Sequence, residues 1–253
     1  MKIVVIGGTG LIGSKLVSGL AEHGHEAVAA APNTGVNTLT GEGLDDALAG
    51  ANVVVDVSNS PSFEDAAVMD FFKTSTRNLL AAEQGAGVGH HVALSVVGTE
   101  RLQDSGYFRA KSAQEKMIKD SPVPYSIVHA TQFFEFVRSM SDAATVGDTV
   151  HFAPVLFQPM VSDEVAKAVG RTAVGTPLNG TVEIAGPEQF RMDEFFRDAL
   201  AARNDPRQVV SDPQAAYFGA QLEERTLLPR EDALLGEVRF GDWPGRTAPA
   251  PAK

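Results

Sequence analysis

The sequence contains no cysteine, which excludes disulfides, thiolate catalysis and cysteine-ligated zinc. Basic residues are scarce: 21 Lys and Arg are outnumbered by 32 Asp and Glu, and the formal net charge is −11. Because this charge repels a phosphate backbone and no basic cluster overrides it, we expect no nucleic-acid partner. No apolar run approaches membrane length, and the N-terminus leads directly into an apolar strand. We therefore expect a cytoplasmic protein without a membrane contact.

The residues around which the chain is organised lie at its start. Residues 3–6 are four consecutive β-branched residues, which is typical of a strand buried on both faces in a parallel sheet. Residues 7–13 read Gly-Gly-Thr-Gly-Leu-Ile-Gly, and residues 14–21 carry apolar side chains at helical spacing. The glycines fit either G-x-G-x-x-G (8, 10, 13) or G-x-x-G-x-x-G (7, 10, 13). Strand, glycine turn and helix in this order predict a dinucleotide-binding turn, the alternative being a glycine-rich turn without a ligand.

Each glycine has a role in such a turn. Gly7 or Gly8 lets the chain leave the strand sharply, and Gly10 lets the backbone approach a pyrophosphate. The third glycine, Gly13, lets the helix pack closely on the strand, and the helix start offers free N–H groups to phosphate. The predicted coenzyme contacts of this turn are Gly7, Gly8, Thr9, Gly10, Leu11, Ile12 and Gly13.

The end of the second apolar strand decides the type of coenzyme. A carboxylate about 20 residues beyond the glycines would bind the adenosine ribose and select NAD. This strand ends Ala31-Pro32-Asn33-Thr34, without a carboxylate that would repel a 2′-phosphate. We expect Thr9, Asn33 and Thr34 to hydrogen-bond that group, although no Arg is present there. The sequence therefore favours NADP(H) over NAD(H).

Strands and helices alternate along the chain as far as residue 131, which predicts right-handed crossovers and one parallel sheet. We predict an α/β fold: a Rossmann-type doubly wound parallel sheet with a small C-terminal substrate lobe. Residues 1–243 form a single domain, divided into a coenzyme-binding core (1–131) and a lobe (132–243) that returns one strand to the sheet. Residues 244–253 are rich in Pro and Ala and are predicted to be disordered.

A second set of residues suggests chemistry. Tyr107 and Lys111 are four residues apart on a predicted helix and share one face. Ser95 ends the preceding strand, at the same sheet edge as the glycine turn. We predict that Tyr107 donates a proton to a substrate carbonyl, that Lys111 lowers the pKa of the phenol and binds the nicotinamide ribose, and that Ser95 orients the carbonyl. The alternative is a Tyr-x-x-x-Lys pattern that has arisen by chance.

Together, these motifs resemble the atypical short-chain dehydrogenase/reductase superfamily, and its NmrA-like NAD(P)H-binding branch most of all. The strand 125–130, followed by Thr131-Gln132-Phe133-Phe134, is part of the resemblance. It implies that Ser95, Tyr107 and Lys111 are catalytic, and that Ala130, Thr131 and Gln132 line the nicotinamide. Many NmrA-like proteins carry Arg where this chain has Pro32. Some members lack the tyrosine and act as regulators that sense the coenzyme.

Several weaker signals allow two interpretations. The loop containing Ser58 and Asn59 follows a strand, so it is either a ligand-binding loop or a polar turn. Adjacent His90 and His91 point to opposite faces of a strand, so we interpret them as solvated and predict no metal site. His129 is either a polar pocket wall or packed. Aromatic residues after the fifth strand either line an apolar substrate pocket or belong to the core: Phe133, Phe134, Phe136 and Phe157.

The leading functional hypothesis is an NADPH-dependent reductase of a small apolar carbonyl compound or quinone, with Tyr107 as proton donor. A non-catalytic NADP(H)-sensing regulator is the alternative from another class. A sugar-nucleotide epimerase or dehydratase is a third, which the missing NAD-type carboxylate disfavours. The oligomeric state is left open by the sequence.

Overall fold

The computed structural model describes residues 1–247. Its first half contains β1 (Lys2–Ile6), α1 (Leu11–Glu22), β2 (Glu26–Ala30), α2 (Leu44–Leu48), β3 (Val53–Asp56), α3 (Asp65–Ala86), β4 (His90–Val96), α4 (Gly106–Lys119) and β5 (Tyr125–Ala130). Its second half contains α5 (Val137–Ala143), β6 (Thr145–Val146), β7 (Thr149–Phe152), β8 (Leu156–Phe157), α6 (Ser162–Val174), β9 (Gly180–Ala185), β10 (Phe190–Arg191), α7 (Met192–Ala202), β11 (Gln208–Ser211) and β12 (Leu234–Leu235).

A seven-stranded parallel sheet forms the centre, in the order β12-β9-β5-β4-β3-β1-β2. Helices α1 and α6 cover one face, and α2, α3 and α4 cover the other. The β-branched residues of β1 and β3 are almost fully buried because both of their faces lie under helices. The predicted doubly wound α/β fold is confirmed, and the carboxyl ends of its strands share one edge.

The second half of the chain differs from the prediction of one returning strand. Two strands return: β9 pairs with β5, and β12 pairs with β9. No sequence pattern indicates β12, because this strand contains only two residues, both more than half exposed. The remaining elements build the predicted lobe around an aromatic core, in which the Phe152 and Phe196 rings stack with centroids 3.9 Å apart.

The prediction that His90 and His91 are solvated is wrong. Both side chains are buried, because β4 lies in the middle of the sheet with helices on each face. His90 Nε2 lies 2.8 Å from Ser126 Oγ, and His91 Nδ1 lies 2.7 Å from Glu83 Oε1. Although burial opposes its charge, Glu83 raises the pKa of His91. The two histidines are therefore buried structural contacts: His90 joins β4 to β5, and His91 joins β4 to α3.

The predicted disorder does not begin at residue 244. Pro244–Thr247 forms a 3₁₀ turn, and the Arg203 guanidinium donates hydrogen bonds to the carbonyls of Gly245 (3.0 Å) and Arg246 (3.1 Å). The rest of the predicted tail, 248–253, lies outside the described residues. Among the helices of residues 1–247, none is both long and apolar enough to cross a membrane.

Candidate coenzyme and active site

The turn between β1 and α1 has space only for glycine at three positions. Gly7 has a φ of +76°, and a Cβ there would lie 2.9 Å from the backbone of Ser58. A Cβ on Gly8 would lie 2.7 Å from Ala29 Cα, and one on Gly13 would overlap the Gly7 carbonyl. The turn is therefore packed against β2 and the loop after β3, and the start of α1 lies directly on Gly7, as the predicted roles of the glycines require.

The start of α1 is open to an anion. Its N-cap residue is Gly10, no side chain caps the helix, and no acidic residue lies in its first turn. The first N–H groups of a helix have no partner within the helix, and its dipole favours negative charge at this end. The geometry fits the pyrophosphate of a dinucleotide, with Leu11 and Ile12 presenting their N–H groups.

The loop after β2 is folded on itself. Pro32–Thr34 forms a 3₁₀ turn, and the Thr34 hydroxyl bonds the backbone of Ala29 and Ala31. Thr9 Oγ1 donates to Asn33 Oδ1 over 3.2 Å, and both side chains are exposed. Of the three side chains predicted to contact a 2′-phosphate, Thr9 and Asn33 are accessible, whereas the Thr34 hydroxyl is used by the turn.

The loop after β3 is a polar turn that borders the glycine turn. Ser58 donates from its N–H (2.9 Å) and from its hydroxyl (2.6 Å) to Asp56 Oδ1. Asn59 Oδ1 accepts from the N–H of Ser60. These local bonds fix the loop against Gly7, where it borders the glycine turn.

Tyr107 lies among aromatic rings at the start of α4. Its ring centroid is 5.3 Å from Phe218, 5.4 Å from Phe108 and 5.6 Å from Phe63. Burial raises the pKa of the phenol above its usual value of 10, and the nearby Tyr217 adds to the effect. The prediction that this pKa is lowered is therefore wrong, because desolvation dominates.

Lys111 is held one turn deeper in the protein. Its ammonium is buried, 4.6 Å from the centre of the Phe72 ring, and donates to the Leu94 carbonyl (3.0 Å) and to Gln114 Oε1. Gln114 in turn donates to the buried carboxylate of Asp56 (3.0 Å). Burial lowers the pKa of Lys111 to about 8. Its bonds tie α4 to β3 and β4, and the predicted action on the Tyr107 phenol is not seen.

Ser95 does not face Tyr107, although its strand ends at the expected edge. Its hydroxyl donates to Glu115 Oε1 over 2.6 Å. Glu115 lies two turns beyond Tyr107, about 12 Å along the helix. His129 Nε2 also lies 2.8 Å from Glu115 Oε1. Although burial opposes its charge, the hydrogen bonds from His129 and Ser95 lower the pKa of Glu115 to about 2. The structure thus places Ser95 and His129 in a buried polar cluster, away from the phenol.

This arrangement predicts a structural effect of Ser95. We expect Ser95→Ala to lower the free energy of unfolding by about 1.5–3 kcal/mol, because the buried Glu115 carboxylate loses a donor. Ser18 donates to Glu22 in the same Ser–Glu pairing on the exposed face of α1. Ser18→Ala is therefore the matched control, and urea unfolding should show no loss for it. Equal effects of the two substitutions would contradict a buried role for the Ser95 hydroxyl.

The end of β5 carries unpartnered polar groups. Ala130 is buried, and the Thr131 N–H donates to the Ile184 carbonyl. Within residues 1–247, the Thr131 hydroxyl and both amide atoms of Gln132 are buried without a hydrogen-bond partner. Buried polar groups of this kind normally have partners, so these atoms indicate a ligand-facing position. They fit the predicted nicotinamide position at the carboxyl edge of the sheet.

The predicted aromatic substrate pocket is largely core. Phe134 and Phe157 are each 1% exposed and belong to the core of the lobe. Phe133 is only partly buried, with its ring stacked on Phe136. The aromatic rings that do surround Tyr107 include Phe63 and Phe218, 52% and 42% exposed, which sequence reasoning missed. No local signal indicates the turn that carries Phe218, because Phe-Gly is not one of the dipeptides typical of a hairpin turn.

The polar partners on α4 were also missed. Gln114 and Glu115 follow Lys111 by three and four residues, so the helical spacing places all three on one face.

Within residues 1–247, no group of three His, Asp or Glu side chains is arranged to hold a metal ion.

Comparison with known proteins agrees with this geometry. Residues 3–112 match the model of the NAD dependent epimerase/dehydratase family. The chain is 23% identical over 201 residues to a photosystem II assembly factor, Ycf39, of Cyanophora paradoxa. That alignment covers 72% of this chain and 62% of the relative, so the chain spans less than two-thirds of the relative's length.

Solved structures share the fold. A dTDP-glucose 4,6-dehydratase from Streptomyces venezuelae with bound NAD superimposes with a TM-score of 0.74 at 16% identity, over 98% of this chain and 95% of the other. A dTDP-4-dehydrorhamnose reductase from Bacillus anthracis in complex with NADP gives a TM-score of 0.68 at 14% identity, over 94% and 91%. The predicted resemblance to the short-chain dehydrogenase/reductase superfamily is confirmed, and its NmrA-like branch stays a prediction.

Proposed function

We propose that this protein, which resembles the short-chain dehydrogenase/reductase superfamily, is an NADPH-dependent reductase of a small, apolar carbonyl compound or quinone. The observation that carries the proposal is the turn at residues 7–13, where a Cβ at Gly7, Gly8 or Gly13 would meet the backbone. This packing leaves the uncapped start of α1 open at the sheet edge where Tyr107 lies. A phosphate site and a phenol at one edge are the parts that carbonyl reduction needs.

The chain's own residues would hold the coenzyme along this edge. The turn and the start of α1 would bind the pyrophosphate, Thr9 and Asn33 the adenosine ribose, and Thr131 with Gln132 the nicotinamide end. The neighbouring structures contain NAD or NADP, which agrees with a nicotinamide coenzyme. When bound, the reduced coenzyme supplies the hydride that reaches the carbonyl carbon.

Tyr107 would supply the proton to the carbonyl oxygen. Because burial raises its pKa, the phenol keeps its proton at neutral and mildly alkaline pH. A protonated donor suits reduction, whereas alcohol oxidation needs the phenolate. The protonated phenol is therefore the form that the proposed reduction uses.

A second candidate is a non-catalytic sensor of NADP(H) that changes the activity of a partner. It is favoured by the positions of Lys111 and Ser95, whose polar atoms bond Leu94, Gln114 and Glu115 and not the phenol. The curated relative is named as an assembly factor, which also agrees with a binding role. A sugar-nucleotide epimerase or dehydratase has the support of the family match over residues 3–112 and none from the position of Ser95.

One experiment separates these candidates. Calorimetry with NADPH and NADH is followed by a screen of carbonyl compounds, from cyclohexanone to phenanthrenequinone and menadione, for loss of the nicotinamide absorbance. The reductase predicts binding and turnover of apolar members of the panel. Tight binding without turnover, and a partner recovered in only one redox state of the coenzyme, would establish the sensor. The third candidate predicts conversion of an added nucleotide sugar and not of the panel; product analysis detects it, because an epimerase or dehydratase returns the hydride to its substrate and leaves the nicotinamide absorbance unchanged overall.

The preference for NADP(H) has its own test at Asn33. The side chain is exposed, and Asn33→Asp keeps the Oδ1 atom that accepts from Thr9. The added charge should weaken NADPH binding about tenfold relative to NADH, because it repels the 2′-phosphate. Pro32→Arg should shift the ratio in the opposite direction. The ratio of the two dissociation constants, measured by calorimetry, checks both; an unchanged ratio in both variants would show that this loop does not contact the ribose.

A further inference from the structure

The reduction proposed above needs a group that holds the substrate's carbonyl oxygen beside Tyr107. Ser95 was expected to be that group, but its hydroxyl is bonded to Glu115, two helical turns from the phenol. The position beside Tyr107 is instead occupied by a segment of the lobe, residues 217–220.

This segment is a tight hairpin turn. The N–H of Tyr217 donates to the carbonyl of Ala220 (2.8 Å), and the N–H of Ala220 donates to the carbonyl of Tyr217 (3.0 Å). The two central residues, Phe218 and Gly219, have φ values of +48° and +84°. A phenylalanine in the left-handed region is strained, and such turns normally carry Asn-Gly. Strain of this kind persists only where the surrounding structure requires it. We therefore expect the turn to hold a neighbouring side chain in place.

The turn brings a second phenol to the site. Phe108 and Phe218 each contact both tyrosines: their ring centroids lie 5.4 and 5.3 Å from Tyr107, and 6.1 and 4.9 Å from Tyr217. The segment is anchored at both ends, since Asp212 N–H donates to Phe152 and Leu156 N–H donates to Glu224. Tyr217 is thus held by the lobe and packs on the same two rings as Tyr107.

Gln132 approaches the same place from the end of β5. Its side chain is 6% exposed, and within residues 1–247 neither of its amide atoms has a hydrogen-bond partner. Burial raises the pKa of the Tyr217 phenol to about 12, and a weaker interaction with the Gln132 amide opposes this rise. The phenol therefore keeps its proton and remains a donor at neutral pH.

We propose that Tyr217 and Gln132 donate hydrogen bonds to the substrate's carbonyl oxygen beside Tyr107, the role that the sequence assigned to Ser95. This inference rests on the proposed reductase function. As hydride reaches the carbonyl carbon, the C=O π electron pair moves to oxygen, which takes the proton of Tyr107; Tyr217 and Gln132 stabilise the developing negative charge without transferring a proton.

The test uses conservative substitutions and the third tyrosine of the chain. Tyr217→Phe removes one hydroxyl and keeps the ring, and Gln132→Leu removes the amide. Tyr125→Phe, at the start of β5 and away from the site, is the matched control. With the panel compound that the wild type reduces best, we expect kcat to fall about ten- to 100-fold for each site variant, with NADPH affinity within twofold of the wild type for Tyr217→Phe. Because both donors serve one oxygen, the double variant should lose less than the product of the two single losses.

The outcomes separate this inference from the function on which it rests. If Tyr217→Phe keeps the wild-type kcat/KM while Tyr107→Phe is inactive, this inference is wrong and the proposed reductase function is unaffected. A loss seen equally in Tyr125→Phe, or a thermal unfolding midpoint lowered in step with kcat, would show a structural effect and also overturn it. A wild type without turnover, or a Tyr107→Phe protein as active as the wild type, would overturn both.

Discussion

Tyr107→Phe is expected to lower carbonyl reduction by at least about 100-fold and to leave NADPH binding unchanged, because general-acid catalysis typically contributes this much. The ring remains, so its contacts with Phe63, Phe108 and Phe218 are kept and only the proton is lost. Steady-state kinetics and calorimetry on the same preparation measure the two effects. Tyr125→Phe is the control. Wild-type turnover in Tyr107→Phe would show that Tyr107 is not the proton donor.

The pH dependence of the same reaction tests the environment of the phenol. A donor with a pKa above its usual value of 10 stays protonated, so kcat should be level across the neutral and mildly alkaline range. The buried Lys111 has a pKa near 8. If the pH profile of kcat shows an inflection near 8 and Lys111→Met abolishes it, the Lys111 ammonium acts on the Tyr107 phenol.

Gly13→Ala is expected to weaken coenzyme binding by at least about 100-fold, because small misplacements of a binding turn have effects of this size. The added methyl would overlap the Gly7 carbonyl and come within 2.7 Å of Gly8 Cα, so the turn and the start of α1 must separate. Overpacking of this kind also costs about 1–3 kcal/mol of stability. Calorimetry at a temperature below the unfolding midpoint measures coenzyme binding, and urea unfolding measures the loss of stability.

Gly19→Ala is the control for this prediction. It lies in the same helix, and nothing lies within 4 Å of the added Cβ. Alanine is about 0.5–1 kcal/mol better than glycine in a helix interior, so this variant should be more stable and bind as the wild type does. A folded Gly13→Ala protein with wild-type affinity would show that the turn does not hold the coenzyme.

The elements that position the site follow from local sequence patterns. Four β-branched residues before a glycine turn predict β1 and the start of α1, because burial on both faces and the close approach of helix to strand leave few alternatives. The alternation that follows predicts the parallel sheet, and with it the shared edge where Tyr107 lies. These features depend on residues close together in the chain, so periodicity detects them.

The direction and environment of single side chains could not be predicted in the same way. Ser95 ends the expected strand, yet whether its hydroxyl faces Tyr107 or Glu115 depends on the packing of α4 against β4. The pKa of Tyr107 is set by rings from distant segments, among them Phe63 and Phe218, whose arrival no local pattern indicates. Strand β12 and the turn at 217–220 belong to the irregular lobe, where tertiary contacts and not periodicity fix the structure.

The most direct test of the central claim is a crystal structure of the protein with NADP⁺. We expect the pyrophosphate at the start of α1, the adenosine ribose beside Asn33, and the nicotinamide between Gln132 and the Tyr107 phenol. A coenzyme bound elsewhere, or a nicotinamide ring on the far side of the sheet from Tyr107, would contradict the account.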